Sequence, residues 1–445
     1  MKKYIYIILL LAVTLMAAGC GNGDDYPPPV PYIPTLVRPT PAPPPDLTVP
    51  VGDPFHGFVP DQRDYVEIEF WHIQSGPQLA ALRDMIEAFH ANQPYVRVNE
   101  VRHLDDTHLF NALMMADGMG TLPHLAEATI FDIAFYRGLR MLLPLEPFMN
   151  DPVVGIGPAV KDDIILPFRE TNIFDGYWYG LPFSMGVPLL FYNRNVLNAA
   201  GIGVPETWEA LVNAVDTLTI GFDYIIDSEW ISLLYQRGGR FGNRDGNVNF
   251  TSEAAIDAME ALMGLATHPN AQAVTGEAFA REEVAFLIAP SFLMPDITQT
   301  VGTAFNWGAV PFPGTDNNRA IEFSGHSIVM FENMNHGINA RVGAWEFMRF
   351  TLDIEAAADW VLASGYVPTR NAVVNLPRLE QFFTMSTRAG AGAASLPHGF
   401  FRTRVAGSEY VRFILLEEMH EIRMGRISAE EGLYRAQERA EALFE

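Results

Sequence analysis

A strand, a helix and a second strand follow one another over roughly 35 residues, an order that leaves few architectures open. Val66, Ile68 and Phe70 alternate with Glu67 and Glu69, the period-two pattern of a strand with one wet face. Pro77 then opens a helix whose Leu79, Leu82, Ile86 and Phe89 fall on one stripe. Asn92-Gln93-Pro94 stops it, and Tyr95–Val101 reads as the next strand. Such a βαβ unit predicts a parallel sheet covered by helices. Three- and four-residue apolar spacing predicts further helices over Thr207–Leu218, Ser252–Ala266, Ile338–Phe350, Ile354–Ala363 and Ser428–Phe444. The apolar runs Pro188–Tyr192 and Val284–Ile288 suit buried strands. The class is α/β.

The 445 residues are 49% hydrophobic and 18% charged, enough for a large core and too apolar for a mainly disordered chain. At about 150 residues per domain, two or three lobes are expected. Lys and Arg number 29 against 53 Asp and Glu, a formal net charge of −24. Nucleic-acid phosphates would be repelled by that balance. A small anionic ligand is not excluded, because one arginine can dominate a pocket. The sole cysteine, Cys20, rules out an intrachain disulfide and a thiolate metal cluster. It closes a leader in which Lys2 and Lys3 precede a short apolar run, Tyr4–Ala18. That run falls short of the roughly 20 residues a spanning helix needs, so residues 1–20 read as a signal peptide. Ala17-Ala18-Gly19-Cys20 resembles a lipobox, and lipidation of Cys20 is expected, anchoring an extracytoplasmic protein to the cell membrane. Residues 21–64 hold thirteen prolines and read as a polyproline tether with a reach of roughly 100 Å.

Catalytic signatures are absent: no G-x-S-x-G elbow, P-loop or kinase set occurs. Gly118-Met119-Gly120 reads as a helix-ending loop. His103 and His108 lie five apart, on different helical faces, and read as a loop or helix start rather than a metal site. No metal and no cofactor is implied. A glycosidase carboxylate pair need not be close in sequence, so a secreted polysaccharide hydrolase stays open as a rival. Aromatic residues point elsewhere. Trp71-His72 stands at the carboxyl end of the first strand, the edge where open α/β sheets bind ligands. Aromatic rings suit the apolar faces of sugars. Trp208 and Trp345, on helix stripes, read as core.

Several stretches, in order, resemble one family. They are Phe70-Trp71-His72 with Phe89–Pro94; Gly180-Leu181-Pro182-Phe183 with Pro188–Asn193; Pro205-Glu206-Thr207-Trp208; Gly276–Phe279 with Val284-Ala285-Phe286; and Ser364-Gly365-Tyr366-Val367-Pro368. Over residues 65–445 the chain resembles the bacterial extracellular solute-binding proteins (family 1) of ABC importers. Its nearest likeness there is to the branch taking glycerol 3-phosphate or sugars. The resemblance implies a two-lobed periplasmic-binding-protein fold of type II, closing on a small polar solute in a cleft. It implies an N-terminal lobe of 65–182 with 306–335 and a C-terminal lobe of 183–305 with 336–445. ABC permease subunits would be the partners, the receptor a monomer, and no reaction catalysed; a surface sensor with the same fold is the other rival.

Trp71 and His72 are the expected cleft residues of one lobe. By resemblance, Trp230, Ser291, Gly325, Tyr366 and Arg404 fall on ligand positions, Arg404 being the natural phosphate partner. The sequence departs from the family at Ile130, where a hydroxyl-binding Glu is expected. Asp106 stands in place of a Tyr, and Met185-Gly186 in place of two serines. Those departures bear on the solute rather than on the fold.

Overall fold

The computed structural model describes residues 65–222, 227–243, 246–315, 318–386, 388–405 and 407–444. The leader, Cys20 and the proline-rich segment lie outside the described residues. In chain order the strands are β1 Val66–His72, β2 Val96–Arg102, β3 Leu125–Ala128, β4 Ile173–Phe174, β5 Tyr177–Trp178, β6 Gly180–Gly186, β7 Pro188–Asn193, β8 Ile220–Phe222, β9 Ala271–Ala273, β10 Phe286–Pro290, β11 Trp307–Pro311, β12 Ile321–Glu322, β13 Ser324–Met330 and β14 Gly399–Phe400. Two five-stranded sheets form the two lobes, ordered β2-β1-β3-β13-β6 and β11-β7-β10-β8-β9.

In the first sheet β1, β2 and β3 run parallel, as the βαβ pattern predicts. Ile68 and Phe70 are buried while Glu67 and Glu69 are exposed. The helix Gly76–Asn92 begins with a proline in its first turn and buries Leu82, Met85, Ile86 and Phe89. The helix Asp106–Met119 follows β2. Asp105 caps it by accepting the His108 N–H, and it buries Leu109, Leu113 and Ala116. Gly120 ends it with φ at 70°.

The lobe boundaries differ from the expected ones, and packing explains each difference. β6 runs unbroken through residue 182 to Gly186, and only the buried Val187 separates it from β7 in the second sheet. β11, expected in the first lobe, pairs antiparallel with β7. Its Trp307 ring lies 6.2 Å from Phe191 and 6.2 Å from Phe279. The helices Ile338–Phe350 and Ile354–Ser364, expected in the second lobe, belong to the first. Phe347 wedges between Phe70 and Phe89, at 5.7 and 5.3 Å, and Trp360 stacks on Phe183 at 4.6 Å. The chain returns to the second lobe only at the helix Ala391–Ser395, against β11. It ends there with the helices Ser408–Arg423 and Ala429–Glu441. Trp208 and Trp345 are core residues, the latter giving its indole N–H to the Val154 carbonyl at 2.8 Å. Among the described residues no helix is long and apolar enough to cross a membrane.

Candidate functional site

Where β1 and β3 end, a buried polar knot ties β1, β3 and β6 to the segment that follows the helix Ile354–Ser364. His72 holds Glu100 Oε2 through Nε2 at 2.7 Å, and its Nδ1 accepts the Gln74 N–H at 3.1 Å. That turn aims the Gln74 amide at Glu127 Oε1, 2.6 Å away on β3. Glu127 also receives the Ser184 hydroxyl from β6 at 2.9 Å and the Ile73 N–H at 3.1 Å. Tyr366 donates its O–H to Gln74 Oε1 at 3.0 Å. Burial, with the Glu127 charge, pushes the Tyr366 phenol well above its ordinary range, so it stays a neutral donor.

Beside the knot stands an acidic wall on the first lobe. Asp106, at the start of its helix, lies 2.6 Å from His326 Nε2 on β13. Its side chain is 57% accessible, yet loss of hydration is the largest influence on its carboxyl. His326, through its charge and hydrogen bond, outweighs that burial and holds Asp106 below the usual carboxylate range. Asp132 is the third residue of the helix Ile130–Gly138. It accepts from Thr129 N and Oγ in a capping box, at 2.9 and 2.7 Å. Burial, opposed by those bonds and helped by Asp106, raises Asp132 to about 6.

The facing wall, from the second lobe, carries arginines that are already matched. Arg402 grips Glu322 side-on, Nε to Oε1 at 2.5 Å and Nη2 to Oε2 at 2.6 Å. Its Nη2 also reaches Asp227 Oδ2 at 3.0 Å, and Arg412 Nε meets the same oxygen at 2.9 Å. Burial raises the Asp227 carboxyl, but Arg412 and Arg402 outweigh it and hold it far below the usual range. The Arg402 guanidinium lies 5.8 Å from the centre of the Phe131 ring, across the lobe junction.

The expected site residues are placed unevenly by this geometry. Tyr366 joins the knot directly. His72 joins it from beneath, as a fully buried positioning group. Trp71, half-buried, turns its indole N–H to Glu69 Oε2 at 3.1 Å and its ring to His103, 4.8 Å away. Ser291, just after β10, donates its N–H to the carbonyl of Val187, the crossing residue, at 2.8 Å and accepts the Val187 N–H on its hydroxyl at 3.4 Å. Gly325 sits on β13 opposite Met185 at φ 126°, where a Cβ would meet the Ser184 carbonyl oxygen at 2.0 Å. Trp230 does not reach the cleft. It is fully buried, its N–H given to the Ala255 carbonyl at 3.1 Å and its ring set edge-on to Phe250. Arg404 crosses from the second lobe to lie on the Phe174 ring, 4.1 Å from its centre, and reaches the Ile173 carbonyl at 3.5 Å. Loss of hydration and the neighbouring Arg137 lower its pKa.

Sequence reasoning missed Gln74, Glu127, Asp132, Ser184, Asp227, Glu322, His326 and Arg402. Only Thr129-x-x-Asp132 carries a local signal, and it announces a helix cap rather than a site. A separate cavity of about 260 Å³ at the amino end of β3 is lined by Glu69, His124 and His336, and lies away from the lobe junction.

Comparison with known proteins agrees with this architecture. The family model for bacterial extracellular solute-binding proteins matches residues 84–385, and the chain belongs to that family. The sn-glycerol-3-phosphate-binding periplasmic protein UgpB of Pectobacterium atrosepticum is 21% identical over 409 residues, 85% of this chain and 91% of that one. The arabinooligosaccharide-binding protein of Halalkalibacterium halodurans is 26% identical over 240 residues, 49% of this chain and 48% of that one. UgpB of Mycobacterium tuberculosis with glycerophosphocholine superposes with a TM-score of 0.73 at 19% identity, covering 85% of this chain and 98% of that one. A Listeria monocytogenes substrate-binding protein with cycloalternan gives 0.74 at 18%, with the same coverage. Members of the family are binding proteins rather than enzymes.

Proposed function

We propose that this protein captures an uncharged polyhydroxy solute, a sugar or short oligosaccharide, between its lobes and delivers it to an ABC importer. The observation carrying this is the charge pattern of the cleft. Asp106, Asp132 and Glu127 gather three carboxylates on the first-lobe side, Asp106 being the accessible one, and the arginines of the second lobe are matched by Asp227 and Glu322. Sugar hydroxyls donate to carboxylates and accept from guanidinium groups, so a neutral polyol satisfies both walls. A phosphate would meet carboxylates on one side and compete with carboxylates on the other. Relatives that bind arabinooligosaccharide and cycloalternan support the reading.

A second reading rests on one feature. Arg137 and Arg404 both lie over Phe174, with Asp175 the carboxylate paired to Arg137. That pair of guanidinium groups suits a phosphate ester, the class that the glycerophosphocholine-bound relative takes. Calorimetric titration of the full-length chain decides between the two readings. Neutral mono- to trisaccharides that bind while glycerol 3-phosphate and glycerophosphocholine stay silent support the first, and the reverse result replaces it with the second. Cys20 serves as the lipid anchor and residues 21–64 as the tether. Cys20→Ser is expected to move the protein from the membrane fraction to the soluble extracytoplasmic fraction, and unchanged fractionation would remove the anchor from the reading.

A further inference from the structure

The charged groups of the two walls form one chain of alternating sign. His326 meets Asp106, and Asp106 feels the charge of Arg412. Arg412 binds Asp227, Asp227 binds Arg402, and Arg402 binds Glu322. The first two residues belong to the first lobe and the other four to the second, and the Arg412 charge acts on Asp106 between them. Within it, two buried nitrogens have no partner among the described residues: His326 Nδ1 and Arg402 Nη1. Both side chains are about nine-tenths or more buried, at 10% and 6% accessible.

Buried donors are almost always satisfied, and an orphan of this kind marks a missing acceptor. Both orphans lie where the lobes meet. His326 is held by Asp106, whose side chain is accessible. Arg402 lies beneath Phe131 of the opposite lobe. Burial pulls the His326 imidazole down, but Asp106, Glu127 and Asp132 more than reverse this and push it up to about 9. Its Nδ1 therefore carries a proton at neutral pH and can only donate.

Resting on the carbohydrate reading, we propose that His326 and Arg402 are the two solute donors of the closed cleft, one on each wall, each taking a hydroxyl or ring oxygen. The chain of charges between them then links solute capture to closure, because a single neutral molecule completes both ends. No further negative charge is called for, since each cation in the chain already faces a carboxylate.

The test uses the full-length chain and the neutral saccharide that titrates best with the wild type. His326→Gln keeps a donor toward Asp106 and removes the Nδ1 proton; Arg402→Lys keeps the charge and removes Nη1. Each folded variant is expected to bind that saccharide about ten- to a hundredfold more weakly. Wild-type affinity in both would overturn the inference and leave the carbohydrate reading standing. If no saccharide binds the wild type while glycerol 3-phosphate does, both fall. Should Arg402→Lys fail to fold, nitrogen-15 spectra of histidine-labelled wild type decide. The His326 Nδ1–H resonance shifts on saccharide addition if the inference holds, and an unmoved resonance refutes it.

Discussion

A histidine that is buried, ion-paired and still short of a partner has a measurable signature. The folded pKa of His326, about 9, stands above its unfolded value near 6.5. Its contribution to stability is therefore complete below pH 6.5 and lost as pH rises through 9. The shift corresponds to about 2–3 kcal/mol near neutrality. Urea unfolding of the wild type should lose most of that amount between pH 7 and 10, and Asp106→Asn should flatten the slope. Parallel slopes in the two proteins would show that the ion pair contributes nothing. Trp230 gives the contrasting case. Its ring fills the second-lobe core, so Trp230→Ala should cost about 3–5 kcal/mol in chemical denaturation. Saccharide affinity of the remaining folded fraction should stay within about twofold, a change well under 1 kcal/mol. A large affinity loss with unchanged stability would return Trp230 to the cleft. The sequence could not make this distinction, because the helix Asp227–Gln236 buries eight of its ten residues, polar ones included, and shows no wet face to orient it.

At the scale of elements the sequence was most legible where periodicity is strong. β1, the helix Gly76–Asn92 and β2 lie where alternation and the apolar stripe predict them. The helices Glu253–Ala266 and Ile354–Ser364 fall within a residue of expectation. The helix Ser408–Arg423 was missed, its apolar residues being spread among Glu409, Arg412, Glu417 and Glu418. Which lobe an element joins was not legible, because apolar periodicity says that a face is buried and not against what. Phe347 and Trp307 follow the partners that complete their aromatic clusters, far away in sequence. The crossing of β6 and β13 is likewise a tertiary feature. The register shifts beside His326, and Gly325 stands with its α-carbon against the Ser184 carbonyl. Gly325→Ala combines strain at positive φ with that clash and should destabilise by about 2–4 kcal/mol in thermal or chemical unfolding. A variant as stable as the wild type would mean that the crossing strands have room to move apart.

Taken as a whole, the molecule has two lobes that meet through charged side chains laid on aromatic rings as well as through the crossing strands. Arg404 leaves the second lobe to cover Phe174 of the first, with the Arg137–Asp175 pair behind it. A guanidinium on an aromatic face is worth about 0.5–2 kcal/mol, so this contact favours the arrangement in which the two lobes meet. Binding and closure are linked, and a residue that stabilises only the closed state raises the affinity of every solute by the same factor. Arg404→Ala is thus expected to weaken all ligands alike, by about 2- to 30-fold, and to enlarge the solute-free radius of gyration in small-angle scattering. A phosphate-binding arginine predicts a different pattern: glycerol 3-phosphate affinity collapses, saccharide affinity holds, and the solute-free shape is unchanged. Motif resemblance pointed to Arg404 because it records which position matters in relatives. It does not record the Phe174 ring on which Arg404 lies in this chain, a contact made across the lobes and invisible in the local sequence.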